Sequence, residues 1–162
     1  MARALELVGE RWSLLIIRDA LFAHVTRFGD FEHNLGIATN VLSSRLAAFV
    51  EAGLMERRVS DDRQSEYVLT EMGRDLGPTM IALTHWGDRW AAPGEPPILY
   101  VHDGCGGSCA VQVDCETCGP VAPSQVAVRP GPGMPASYLA NRRPRRAAGP
   151  DDDAVVRGTS AH

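Results

Sequence analysis

Every cysteine of this 162-residue chain falls in HDGCGGSCAVQVDCETCG, residues 102–119, together with one histidine. His102-x2-Cys105 and Cys115-x2-Cys118 form two short pairs, each able to make a tight turn that aims both side chains at one point. That spacing suits a tetrahedral Zn²⁺ held by His102, Cys105, Cys115 and Cys118. Gly106 and Gly119 follow the second member of each pair and offer the positive-φ freedom such knuckle turns need. Cys109 is extra to this set. It either replaces the histidine in a four-cysteine site, with Cys105-x3-Cys109 facing Cys115-x2-Cys118, or lies beside the metal as a spare thiol. Thiol–disulfide catalysis by CETCG would need a helix N-terminus in a βαβ setting to lower the thiol pKa, whereas Pro120 and Pro123 follow Cys118. A structural zinc site is therefore the expectation, with a redox-sensing zinc module as its alternative.

The elements that would position these ligands are short. ILYV (98–101), AVQVD (110–114) and QVAV (125–128) alternate as β-strands do, and two knuckles joined by strands make a zinc-ribbon shape. So little apolar material is available that the metal itself would have to supply the folding energy. Ten of the eleven prolines lie beyond residue 92. This shift divides the chain into a compact, helix-rich domain (1–92), a stiff AAPGEPP-type linker (93–97), the ribbon-like extension (98–129) and a Pro/Gly/Arg/Asp tail (130–162) expected to be disordered.

No apolar run approaches the ~18 residues needed to span a membrane, and MARALELVGERW lacks the architecture of a secretion signal. A cytoplasmic protein without membrane contact is expected, in which thiols stay reduced and clustered cysteines favour metal over disulfides. The net charge is −4, and all sixteen basic residues are Arg. An acidic balance argues weakly against bulk nucleic-acid affinity but says little about a local patch.

In the first domain an apolar stripe (Leu5, Leu7, Val8, Trp12, Leu15, Ile16, Leu21, Phe22) predicts one helix over about 3–22. A second helix fits FGDFEHNL (28–35), with Gly36 as its turn residue. A third fits ATNVLSSRLAAFVEAG, ended by Gly53, with Leu42, Leu46, Phe49 and Val50 facing inward and Asn40, Ser44, Ala47 and Glu51 facing out. LMERRVS and EYVLT flank the polar turn DDRQS as a hairpin. TEMGRDLGPTMIALTHWGDRW (70–90) follows as a helix capped by Thr70, striped by Met72, Leu76, Met80, Leu83 and Trp86, and broken near Gly77 by Pro78. The fold class is thus mainly α with a small β part (α+β). Helices followed by a tight hairpin and another helix describe a winged helix-turn-helix, with a recognition helix at about 39–52 and a wing at about 57–69.

The motifs VGERWSLLIIRD, RFGDF, the L-x-x-R-L of the third helix, EAGL and YVLTEMGRDLGP resemble the HxlR-type branch of winged-helix transcriptional regulators over nearly all of residues 3–90. The resemblance implies a homodimer that binds an inverted-repeat operator in double-stranded DNA. No Ser-His-Asp or paired-carboxylate arrangement stands out, so no enzyme activity is expected, and the effector, a small molecule or an oxidant, is not specified. Thr39, Asn40, Ser43, Ser44 and Arg45 match the family's DNA-reading stretch, Arg27 a position suited to a backbone contact, and Arg58 and Arg63 the wing. The chemistry agrees, since Asn reads adenine bidentately while Ser, Thr and Arg reach bases or phosphates. Arg45 could instead form a structural salt bridge, only one of Arg57 and Arg58 can face DNA, and Arg18 is expected to pair with a nearby carboxylate such as Asp19. Dimerisation is expected through the first and last helices, for which Leu83, Trp86 and Trp90 offer apolar area. A longer subset of the family resembles the extension too, through HDGCG, CETCG and RPGPG, and supports the His-containing ligand set.

Two departures qualify the match. The cysteine that many members carry just before the first helix has no counterpart, so either the chain starts upstream of Met1 or sensing does not use that thiol. Ala38 stands where the family often has Ser, which leaves the recognition-helix cap to Thr39. A second function class is a protein-interaction module that uses the winged helix as a docking surface, which thirteen acidic residues against ten Arg in residues 1–92 would permit.

Overall fold

The computed structural model describes residues 2–91 and 94–134. Ala92, Pro93 at the start of the expected linker, and all but the first five residues of the expected disordered tail lie outside the described residues. The chain forms two compact units, residues 1–112 and 113–162.

In the first unit, α1 (Ala2–Val8) and α2 (Ser13–Phe22) replace the single expected helix over 3–22. The break follows Gly9, a poor helix former, whose N–H closes α1 onto the Leu5 carbonyl at 2.8 Å. Ser13 N–H restarts hydrogen bonding on the Glu10 carbonyl. As a result the predicted stripe is shared out differently. Val8, Ile16 and Ile17 are buried and Trp12 packs on the core, while Leu5 and Leu7 remain exposed.

Next come α3 (Phe28–Leu35), ended by Gly36 in the left-handed conformation (φ 59°), and α4 (Thr39–Glu51). Leu42, Leu46 and Phe49 of α4 are buried against Phe31, Ile37 and Leu54, as the 3.6-residue period predicts. Val50 departs from that expectation and is 37% exposed. The cap also departs from it. Ala38 is the N-cap and has no side-chain cap bond, whereas Thr39 is already helical and donates its hydroxyl to the Glu32 carboxylate.

Strands β1 (Met55–Val59) and β2 (Ser65–Leu69) pair antiparallel with Arg57 opposite Tyr67. A single isolated antiparallel bridge joins Arg27 to Glu66 on β2. Thr70 caps α5 (Glu71–Arg74) by accepting the Gly73 N–H, as expected. The chain then breaks at Asp75–Leu76 before α6 (Gly77–Trp90), where Pro78 sits in the first turn and its missing N–H costs nothing. Met80 is buried, but Met72, Leu83 and Trp86 of the predicted stripe are exposed.

Residues 98–112 belong to the first unit. Tyr100 is 8% exposed, lies edge-on to Phe22 of α2 at 4.8 Å between centroids, and shares a hydrogen bond with Thr84 of α6 at 3.2 Å. ILYV is therefore not a free strand. Among the described residues its one β-pairing is the Val101–Ser108 bridge.

The second unit holds a small hairpin, β3 (Val113–Cys115) paired with β4 (Gly119–Val121), and a 3-10 turn at Pro123–Gln125. QVAV is not a strand: its first residue ends that turn, and Val126 and Val128 are exposed.

Candidate nucleic-acid interface and the cysteine pairs

Helix α4 follows α3 through the Gly36 turn and presents Asn40, Ser44 and Ala47 to solvent away from its buried Leu42, Leu46 and Phe49, with exposed Thr39 and Ser43 at the margin of that face. A short polar face on a helix anchored from behind can enter a major groove without unfolding anything. Arg45 is half-buried at the margin and stands 3.9 Å from Glu10, which ties α4 to the loop before α2.

The wing carries Arg58 and Arg63, both exposed. Arg58 pairs with Glu56 on the same strand face. Arg57 points to the other face and donates to Ser65 Oγ at 2.7 Å. Arg63 sits in the left-handed conformation at the hairpin tip (φ 60°) and has no ion pair among the described residues.

Arg27 opens α3 and is held by the wing, with Asp62 at 2.8 Å and Glu66 at 3.6 Å. Sequence reasoning missed both partners because they lie more than thirty residues away. The Asp62 carboxyl is held below its ordinary pKa, first by the Ser60 hydroxyl, with smaller contributions from the Gln64 N–H and Arg27. Arg18 pairs with Asp19 at 2.7 Å, as expected.

The two cysteine pairs belong to different units. In the first, the N–H groups of Cys105 and Gly106 turn back onto the His102 carbonyl at 3.1 and 2.7 Å, and His102 Nδ1 lies 3.4 Å from Cys105 Sγ. A Cβ on Gly104 would stand 2.8 Å from the His102 ring, and one on Gly107 would stand 3.3 Å from Cys105 Sγ. Cys109 lies on the returning segment, its N–H on the Tyr100 carbonyl at 2.8 Å. In the second unit, Cys115 is held below its ordinary thiol pKa, first by the Thr117 N–H and then by the Cys118 N–H. Gly106 and Gly119 adopt positive φ (69° and 77°), as the turn reading requires. All four cysteines are free thiols. Within either unit, among the described residues, no three His, Cys, Asp or Glu side chains gather into a metal set.

A buried-backed polar helix, the turn before it and an Arg-bearing hairpin after it define a winged helix-turn-helix DNA-binding protein. The chain belongs to the HxlR-like helix-turn-helix family, whose model matches residues 7–95. It is similar to the uncharacterised HTH-type transcriptional regulator Rv3095 of Mycobacterium tuberculosis, with 46% identity over 145 residues that cover 87% of this chain and 91% of that one. Among solved structures it resembles PA1607, described as a candidate transcription factor, with TM-score 0.72, 37% identity, and coverage of 79% of this chain and 92% of that one. It also resembles PA1374 of Pseudomonas aeruginosa, a candidate transcription factor too, with TM-score 0.62, 37% identity, and coverage of 84% and 94%. The protein is thus a transcriptional regulator with a helix-turn-helix DNA-binding fold, a family that is generally non-enzymatic. No helix of the described residues is long and apolar enough to cross a membrane.

Proposed function

We propose that the protein regulates transcription as a homodimer on an inverted-repeat operator. The observation that carries this reading is the exposed Thr39–Asn40–Ser43–Ser44 face of α4 opposite its buried side. In each protomer α4 enters the major groove, where Asn40 reads an adenine edge and Ser43, Ser44 and Thr39 reach bases or phosphates. Arg63 and Arg58 anchor the neighbouring backbone from the wing. Arg45 and Arg27, both already paired within the chain, hold α4 and the wing in register and contribute less direct phosphate contact.

Homodimerisation is supported by exposed apolar area on two helices: Leu83, Trp86 and Trp90 on α6, and Leu5 and Leu7 on α1. Two-fold symmetry of the protein would be mirrored in the operator, with half-sites about one helical turn apart.

A structural Zn²⁺ held by His102, Cys105, Cys115 and Cys118 is proposed from ligand type and spacing. Each pair fits the role within its own unit. The His102–Cys105 turn has glycines where Cβ atoms would crowd the ligands, and the backbone at Thr117 and Cys118 holds Cys115 below its ordinary thiol pKa, which favours the thiolate a metal needs. When bound, zinc supplies folding energy to an extension that buries little. The chain's own residues shape the turns.

A gel-shift titration against the DNA upstream of the protein's own gene tests the main reading. Binding should weaken steeply with salt and fall on changing Asn40 and Ser44 to Ala. Absence of binding, or indifference to both changes, sinks it and leaves the docking-module alternative.

A further inference from the structure

We propose that a cavity of about 240 Å³ between the end of α2 and the wing strand β2 binds a small apolar carboxylate, such as an aromatic acid of benzoate size. Its walls are apolar, with Leu21 and Val25 on one side and Tyr67 and Leu69 on the other, and His24 and Arg74 also line it. Its size suits a fragment-sized ligand rather than a large one.

Two features of the polar side chains suit a carboxylate, one a fixed cation and the other a ring N–H donor. Arg74 donates Nη1 to the Leu69 carbonyl at 2.6 Å, which fixes the guanidinium beside the cavity. Like Arg63 it has no carboxylate partner among the described residues, but unlike Arg63 it is anchored against the cavity by that bond. A guanidinium held by one N–H keeps others for a planar, bidentate carboxylate.

His24 is the second feature. The Ala23 and Val25 N–H groups both bond to the Asp19 carbonyl, which forces His24 into the left-handed position past the end of α2 (φ 52°). Helix ends of this kind favour glycine. The chain instead places an imidazole there, and that imidazole lines the same cavity. The far wall is β2, one strand of the hairpin that carries Arg58 and Arg63, so an occupant packs directly against the wing.

The test uses the full chain, with calorimetric titration and thermal melts in millimolar benzoate, benzamide and benzyl alcohol. Benzoate should bind and raise Tm, and the two uncharged analogues should not. Amide hydrogen exchange should slow at residues 20–26 and 65–69. His24→Gly should fold normally, because its backbone conformation suits glycine, yet weaken benzoate binding by about tenfold. Arg74→Gln should weaken binding by at least about as much, and Arg74→Lys, which keeps the charge but loses the planar fork, should recover only part of it. Melts without ligand confirm that each variant is folded. No benzoate binding, equal binding of benzamide, protection confined to other segments, or full affinity in folded Arg74→Gln would overturn the proposal.

Discussion

Arg27 Nη2 lies 2.8 Å from Asp62 Oδ2, so the residue that opens α3 is tied to the tip of the wing. A side chain that could have been a simple phosphate contact is largely neutralised by the hairpin beside it. Arg63, one residue further along the same tip, has no ion pair among the described residues.

This contrast predicts different salt dependences. Arg63→Ala should make the slope of log affinity for operator against log salt shallower by ~0.9, the amount expected for one lost phosphate contact. Arg27→Ala should change it much less. Asp62→Asn should free Arg27 and steepen the slope. Equal effects of Arg27→Ala and Arg63→Ala in gel-shift titrations would count against an intramolecular role for Arg27.

The same tie has a pH signature. Asp62 is held below its ordinary carboxyl pKa, first by the Ser60 hydroxyl, so its ionised form is favoured in the folded wing. Its contribution is present above the unfolded pKa and is lost as pH falls through the lower folded value. Amide exchange at residues 60–64 should therefore accelerate in that acid window beyond its intrinsic pH dependence. Asp62→Asn should abolish the transition.

On α4, reading and folding separate by face. Asn40→Ala should cost about 1–3 kcal/mol of operator binding at its cognate base pair, with little change in Tm. Leu46→Ala, fully buried, should cost about 2–5 kcal/mol of stability instead. Parallel melts and operator titrations on the two variants check the division.

The end of α6 tests the dimer. Trp86 and Trp90 are 59% and 66% exposed in the protomer. Trp86→Asp should shift the protein from dimer to monomer in sedimentation, with the melt of the winged-helix domain little changed. A protein that is monomeric before any substitution would refute the homodimer.

For the extension, elemental analysis of protein purified without added zinc should find about one Zn²⁺ per chain. Cys118→Ser should lose it, Cys109→Ser should keep it, and chelation should raise the exchange of residues 113–121. Near-zero zinc with four titratable thiols would discard the metal, and loss of zinc in Cys109→Ser with retention on removing the His102 imidazole would favour the four-cysteine set.

What could be read directly from residue order is what depends on near neighbours. A 3.6-residue apolar period buried Leu42, Leu46 and Phe49 and so exposed Asn40 and Ser44. Gly36, Gly106 and Gly119 stand where a turn needs positive φ, and Thr70 caps α5 within its own first turn. The motifs of the first ninety residues named the family for the same reason, because they record a local chain of helix, turn and hairpin.

What distant residues contribute to each position could be decided only by folding. Periodicity could not show that Gly9 divides the first helix, leaving Leu5 and Leu7 outside, or that Val50 falls beyond the core's edge. Thr39 looked like a cap, but the hydroxyl found Glu32 on the preceding helix. Asp62 and Glu66 reach Arg27, and Tyr100 reaches Phe22 and Thr84, across sixteen residues or more, so residues 98–112 join the first unit instead of standing apart as a ribbon. Burial and ion pairing are properties of which surfaces meet, and that is settled by tertiary packing, not by spacing along the chain.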